Sequence, residues 1–212
     1  GNLSDTKTVT VKIDKTPPAT TTTATPGSNA NGWNNTDVTL SFAATDTGSG
    51  VASIRYSVNN GVPVVTPGAS ASTILSAEGS YTVSYYATDN AGNLSDTKTV
   101  TVKIDKTPPS VTKAVTDSDS DNALELAAIT LSATDSTSGV ASVSFSIDVG
   151  ATTTVAGASA PVTFPTGSHT LAFFAADNAG NVSATQTQTP SGRGALPAPR
   201  RQCKSPWSAP FR

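Results

Sequence analysis

The run Asp117-Ser118-Asp119-Ser120-Asp121-Asn122 places three carboxylates at every second position. That spacing is how a calcium-binding loop begins to gather oxygen ligands around a hard cation, and Glu125 stands at the ninth position of such a loop. Asp117, Asp119 and Asp121 are therefore the candidate metal ligands, and calcium is the only cofactor the sequence suggests. The pattern is incomplete, with Asn122 where the sharp turn asks for glycine and Ala128 where it asks for a closing glutamate. A solvated acidic loop is the plainer reading, because the matching stretch from Pro26, PGSNANGW, has no carboxylate.

Catalytic groupings are scarce. A Ser-His-Asp arrangement would have to use His169, the sole histidine, and no other position pairs a base with a nucleophile. Paired carboxylates for glycoside hydrolysis need acids across a cleft, yet the only glutamates are Glu78 and Glu125. The aspartates Asp46, Asp89 and Asp135 precede Gly/Ser/Asn clusters, where a carboxylate accepts backbone N–H groups and closes a turn. No catalytic residue and no enzyme activity is expected. A Lys–Asn cross-link would need a buried lysine, and Lys113 is the only candidate on a first strand. Of the Asn-x-Ser/Thr sequons, those at Asn93 and Asn181 are read as turn residues.

These groups are held by elements of period two. Val38, Leu40, Phe42 and Ala44 alternate with polar or small residues, as do Ile54, Tyr56 and Val58. Tyr81, Val83 and Tyr85 make a third such face, and Val100, Val102 and Ile104 a fourth. The pattern returns in Ile129, Leu131 and Ala133, in Val143, Phe145 and Ile147, and in His169, Leu171 and Phe173. Alternation of this kind marks antiparallel strands with one face on a core and one in water. Weaker strands near 19–25, 62–66 and 71–76 bring the number to about seven per unit. Glu78-Gly79-Ser80-Tyr81 has the form of a corner in which a tyrosine hydroxyl ties back to upstream backbone, and His169 replaces that tyrosine in the later unit.

Internal repetition sets the organisation. GNLSDTKTVTVKIDKTPP at 1–18 recurs letter for letter at 92–109, a shift of 91 residues. ATDTGSGVAS ending at Ser53 and ATDSTSGVAS ending at Ser142 are 89 apart, and ATDNAGN at 87 returns as AADNAGN at 175. The chain divides into a last strand and linker of a preceding repeat (1–18), a whole repeat (19–109), a repeat with an incomplete last strand (110–189) and a tail (190–212). Two facing sheets per repeat make a sandwich, and Pro17-Pro18 and Pro108-Pro109 stiffen the links between them. Residues 1–14 read as a final strand whose own body lies elsewhere, loose in a monomer or inserted at the open edge of another copy.

From Trp33, W-x-x-x-x-VTLSFAATDTGSGV, followed by YTVSYYATDNAGN and TVTVKIDKTPP, resembles the bacterial Ig-like repeats of secreted and surface-anchored proteins. The similarity spans about 19–189. It implies an all-β fold: tandem immunoglobulin-like antiparallel β-sandwiches joined by short Pro-Pro linkers. It implies an extracellular or cell-surface location and a non-catalytic spacer role, with neighbouring repeats of the same chain as partners. An adhesive or carbohydrate-binding module, meeting a host or cell-surface protein or glycan, is the alternative, as are accessory repeats of an exported hydrolase. Trp33, Tyr86 and Phe174 are the aromatic side chains such binding would use.

Charge adds exclusions. Residues 190–212 hold five basic side chains and no acid, and the rest holds eight basic against 15 acidic, a net of −7. An acidic Thr/Ser-rich body gives no footing for nucleic acid. No apolar run approaches the length of a membrane-spanning helix. The single cysteine, Cys203, lies in the tail, where alternation stops abruptly; that change reads as an out-of-frame segment, with a basic surface-binding tail as the alternative.

Overall fold

The computed structural model describes residues 1, 3–116, 128–165 and 169–189. All regular elements among them are strands. The first repeat contributes β1 (Ala19–Thr25), β2 (Val38–Thr45), β3 (Val51–Val58), β4 (Val64–Pro67), β5 (Ser70–Leu75), β6 (Gly79–Asp89) and β7 (Lys98–Ile104). The second contributes β8 (Ser110–Thr116), β9 (Ala128–Thr134), β10 (Val140–Ile147), β11 (Thr153–Ala156), β12 (Ser159–Val162), β13 (Leu171–Asp177) and β14 (Gln186–Gln188). In each, a three-stranded sheet faces a four-stranded one: β1-β2-β5 against β4-β3-β6-β7, and β8-β9-β12 against β11-β10-β13-β14. All strand pairings within these sheets are antiparallel.

The alternating residues fill the interiors. Val38, Leu40, Phe42, Ile54, Val83, Tyr85, Val102 and Ile104 belong to one buried cluster, and Ile129, Leu131, Val143, Leu171 and Phe173 to another. In the first, Phe42 stacks on Tyr56 at 5.0 Å between ring centres and meets Tyr85 at 5.1 Å. Burial pushes the Tyr85 hydroxyl pKa up. The fold is therefore all-β, of immunoglobulin-like sandwiches, as the alternation predicts. The corner forms as well: the Tyr81 hydroxyl donates to the Ala77 carbonyl at 2.8 Å. In the second sandwich His169 stands in its place and its Nδ1 instead meets Asp148 Oδ2.

Both sandwiches carry the same irregularity where β3 meets β6 and β10 meets β13, a register shift between Val51 and Ser53 and between Val140 and Ser142. The bulge follows the turn at Gly50 or Gly139, whose φ values of 82° and 79° suit glycine. Two ends differ from regular strands. Residues 3–18 carry no strand, and Val9, Val11 and Ile13 are exposed. The same letters form β7 where β6 lies beside them, but among the described residues no strand lies beside 7–13 to give their backbone groups a ladder. β14 pairs with β13 over only three residues, against seven for β7 with β6, because Gln188 occupies the position that Val100 holds in the first repeat.

Candidate metal centre at the joints between sandwiches

The turn aspartates do what their neighbours in sequence predict. Asp46 Oδ2 accepts the Gly50 N–H at 2.7 Å, and Asp135 Oδ1 accepts those of Thr137, Ser138 and Gly139. Asp89 Oδ1 accepts the N–H groups of Ala91 and Asn93, and Asp177 Oδ1 that of Asn181. The β2–β3 and β6–β7 turns lie side by side at one pole of the sandwich. Asn90 joins them by donating to the carbonyls of Ser49 and Gly50, and Asn178 repeats this with Ser138 and Gly139.

Sequence reasoning missed the third member. An aspartate ahead of the first strand of each sandwich comes up against the paired turns. Asp14 Oδ2 accepts the Ser49 N–H at 2.6 Å, and Asp105 Oδ2 accepts that of Ser138 at 3.0 Å. Asp14, Asp46 and Asp89 thereby form one group of carboxylates and Asp105, Asp135 and Asp177 another, each offering oxygens within 4.8 Å of one another. Asp89, Asp105 and Asp177 are at most 3% exposed. The approach in the first joint is close: a Cβ on Gly48 would lie 2.4 Å from Asp14 Oδ2. The signal was present in sequence, since all three aspartates have twins in the next repeat, at shifts of 91, 89 and 88 residues.

Asparagine fastens the linker from below. Asn93 Nδ2 donates both to Asp89 Oδ2 and to the Asp14 carbonyl, and Asn181 Nδ2 both to Asp177 Oδ2 and to the Asp105 carbonyl. The turn role expected for Asn93 and Asn181 is thus joined by a linker role. The first sandwich holds the same linker from above. Glu78 Oε1 accepts the Lys106 N–H at 2.8 Å and the Thr107 hydroxyl at 2.7 Å, while Lys106 Nζ pairs with Asp37. The loop between β1 and β2 reaches across as well, with Asn29 and Asn31 both donating to the Asn178 carbonyl.

Electrostatics of the triads are unbalanced. The ion pairs among the described residues are Lys106–Asp37 and His169–Asp148, so no lysine or arginine pairs with any of the six aspartates. Hydrogen bonds instead hold Asp14 below the ordinary carboxylate range, led by the Thr16 N–H and followed by the Ser49 side chain and then its N–H. Burial pushes Asp89 up, and donation from Asn93 and Ala91 outweighs it to leave a lowered pKa, against the charge of Asp14. Both groups bind protons more weakly in the folded chain than the ordinary value of 3.8. Their contribution to stability is complete above that value and is lost as pH falls through the lower folded pKa. In calcium-free buffer the melting point of the first sandwich should drop as pH falls below the ordinary carboxylate value, with a shallower drop in Asp89→Asn. An equal acid response in the variant would remove Asp89 from this role.

Donated N–H groups offset the repulsion among these carboxylates, and a bound cation would offset it further. Carboxylates with adjacent carbonyl oxygens are the donor set that a hard divalent cation such as calcium takes. The sequence candidates Asp117, Asp119 and Asp121, with Glu125, lie outside the described residues. Of the other candidates, Lys113 is exposed on β8, so the buried cross-link is not built. His169 meets an acid rather than a nucleophile, and the hydrogen bond from it lowers the Asp148 pKa.

No curated protein matches this sequence. Among solved structures the chain is similar to the fibronectin(III)-like modules of Clostridium thermocellum CbhA, at 18% identity over 80% of this chain and 92% of that one, TM-score 0.40. It is also similar to a two-domain fibronectin type-III segment of chicken tenascin, at 18% identity over 74% and 93%, TM-score 0.34. A third is the sialic acid binding region of a Streptococcus sanguinis SK1 adhesin, at 14% identity over 82% and 77%, TM-score 0.30. The profile of the bacterial Ig-like domain matches residues 59–106 and 119–190, more than half of the sequence. Motifs, paired sandwiches and profile agree, and the chain belongs to the bacterial Ig-like domain family.

Proposed function

We propose that this chain is a non-catalytic structural spacer in an extracellular array of a bacterial surface or secreted protein, and that calcium stiffens its joints. The supporting observation is the linker aspartate, Asp14 or Asp105, which the fold brings within 4.8 Å of two turn carboxylates of the following sandwich. Asp105, Asp135 and Asp177 would hold the ion at one joint, and Asp14, Asp46 and Asp89 at the other. The ion supplies the positive charge that these groups lack and ties the linker to two turns at once. Lys106 and Thr107 fix the same linker to the preceding sandwich, so the ion would restrain one body against the other. No helix among the described residues is long and apolar enough to cross a membrane.

Calorimetric titration of the whole chain with calcium tests this. Asp105→Asn should remove one of the binding events at the joints, and Asp119→Asn should leave both in place. Absence of binding heat, or loss of it only in Asp119→Asn, would overturn the calcium joint. An adhesive module is the second reading, favoured by a groove on one sheet face of the first sandwich.

A further inference from the structure

The outer face of the sheet β4-β3-β6-β7 is indented by a shallow groove of about 280 Å³. Arg55, Ser57, Pro63, Ser84, Tyr86 and Thr97 line it. Register explains the grouping: Arg55 on β3 lies opposite Tyr86 on β6, and Ser57 lies opposite Ser84. The Arg55 guanidinium carbon is 6.0 Å from the centre of the Tyr86 ring, and the Ser57 and Ser84 hydroxyls are 2.8 Å apart.

Among the lysines of the same repeat, one pairs with an acid, one with a carbonyl and one, like Arg55, with an aromatic ring. Lys98 donates to the Thr20 carbonyl, Lys103 lies over the Trp33 ring, and Lys106 pairs with Asp37. Arg55 has no carboxylate partner among the described residues. The solvent face of a sheet needs no cation for folding, and the sister sandwich does without one. Its equivalent positions hold Ser144 opposite Phe174 and Ser146 opposite Ala172. The charge and two hydroxyls, those of Ser84 and Tyr86, are therefore peculiar to the first repeat.

We propose that this groove binds a carboxylate-bearing saccharide. The guanidinium fork donates two parallel N–H groups to the sugar carboxylate, a pairing whose geometry suits arginine better than lysine. The Tyr86 ring and Pro63 meet the apolar face of the pyranose, while Ser57, Ser84 and Thr97 exchange hydrogen bonds with its hydroxyls. At this volume, just under the usual range of about 300–1,000 Å³ for small-ligand sites, the groove accommodates a single sugar ring. An acidic peptide fits less well. Peptides commonly add to a sheet through free backbone groups, whereas β3 and β6 are each paired on both sides. Binding at one ring is weak, and several copies along an array would raise it by avidity.

The reading does not depend on calcium at the joints, and it is tested on the whole chain by following backbone and side-chain NMR signals. The probes are a tetrasaccharide of alternating glucuronate and N-acetylglucosamine, its methyl ester, and a glutamate-rich peptide. The acidic tetrasaccharide should shift signals of Arg55, Ser57, Ser84, Tyr86 and Thr97 and leave Phe174 unmoved. Arg55→Gln, with an unchanged melting point and unchanged calcium binding, should weaken binding about tenfold or more, as should esterification. Equal binding of acid and ester, binding indifferent to Arg55→Gln, a stronger response to the peptide, or no response at millimolar probe would each overturn the proposal.

Discussion

Phe42→Ala should destabilise the first sandwich by about 3–5 kcal/mol and leave the second untouched. Phe42 is 2% exposed and joins both sheets, stacking on Tyr56 of β3 and meeting Tyr85 of β6. Its removal takes away the burial of a large ring and leaves a cavity that two flanking tyrosines, one of them hydrogen-bonded through its hydroxyl to the Ser72 carbonyl, cannot close without moving. Calorimetry should show one melting transition falling by about 12 °C or more and the other staying in place. Separate behaviour follows from the two buried clusters, which share no residue. If both transitions moved together, a core common to the two repeats would be indicated.

Asp105→Asn should cost much more stability with calcium than without it. Without the ion, the substitution relieves repulsion among the carboxylates but leaves one amide oxygen for two N–H groups, Thr107 and Ser138, which separate carboxylate oxygens accept in the parent chain. The two effects oppose one another, and the variant should then melt at or slightly below the parent chain. With calcium at about a hundred times the dissociation constant, an intact site adds about 2.7 kcal/mol to the folded state. The variant, having lost one of three charged ligands, should bind about tenfold or more weakly and melt below the parent. An Asn variant that melts below the parent by the same margin with and without calcium would make Asp105 a hydrogen-bonding linker residue only.

The strands were open to sequence reading because each has one wet and one dry face, so that Val38, Leu40 and Phe42 or Leu171 and Phe173 declare their orientation by alternation alone. Tyr81 was legible for a similar reason, since its corner is local and the Ala77 carbonyl lies four residues upstream. The triads were not. Asp46 and Asp89 each look complete as turn residues, and nothing local to Asp14 or Asp105 announces that the chain will fold the linker back onto those turns. Their common fate depends on the packing of two distant turns at one pole, which period and propensity do not encode. The β1–β2 loop is a similar case. Asn29 and Asn31 lie in an aperiodic stretch, and their partner, the Asn178 carbonyl, is in the next repeat. Repetition held the missing information, because a turn needs only one aspartate, whereas the chain repeats the linker aspartate along with both turn aspartates.

Calcium at Asp105 should fix one sandwich against the next. Residual dipolar couplings measured on the whole chain, with calcium and with a chelator, report the alignment of each sandwich separately. Alignment tensors that coincide for the two sandwiches in calcium and diverge in chelator, with Asp105→Asn divergent in both, are the expected result. Tensors that do not change on removing calcium would contradict it.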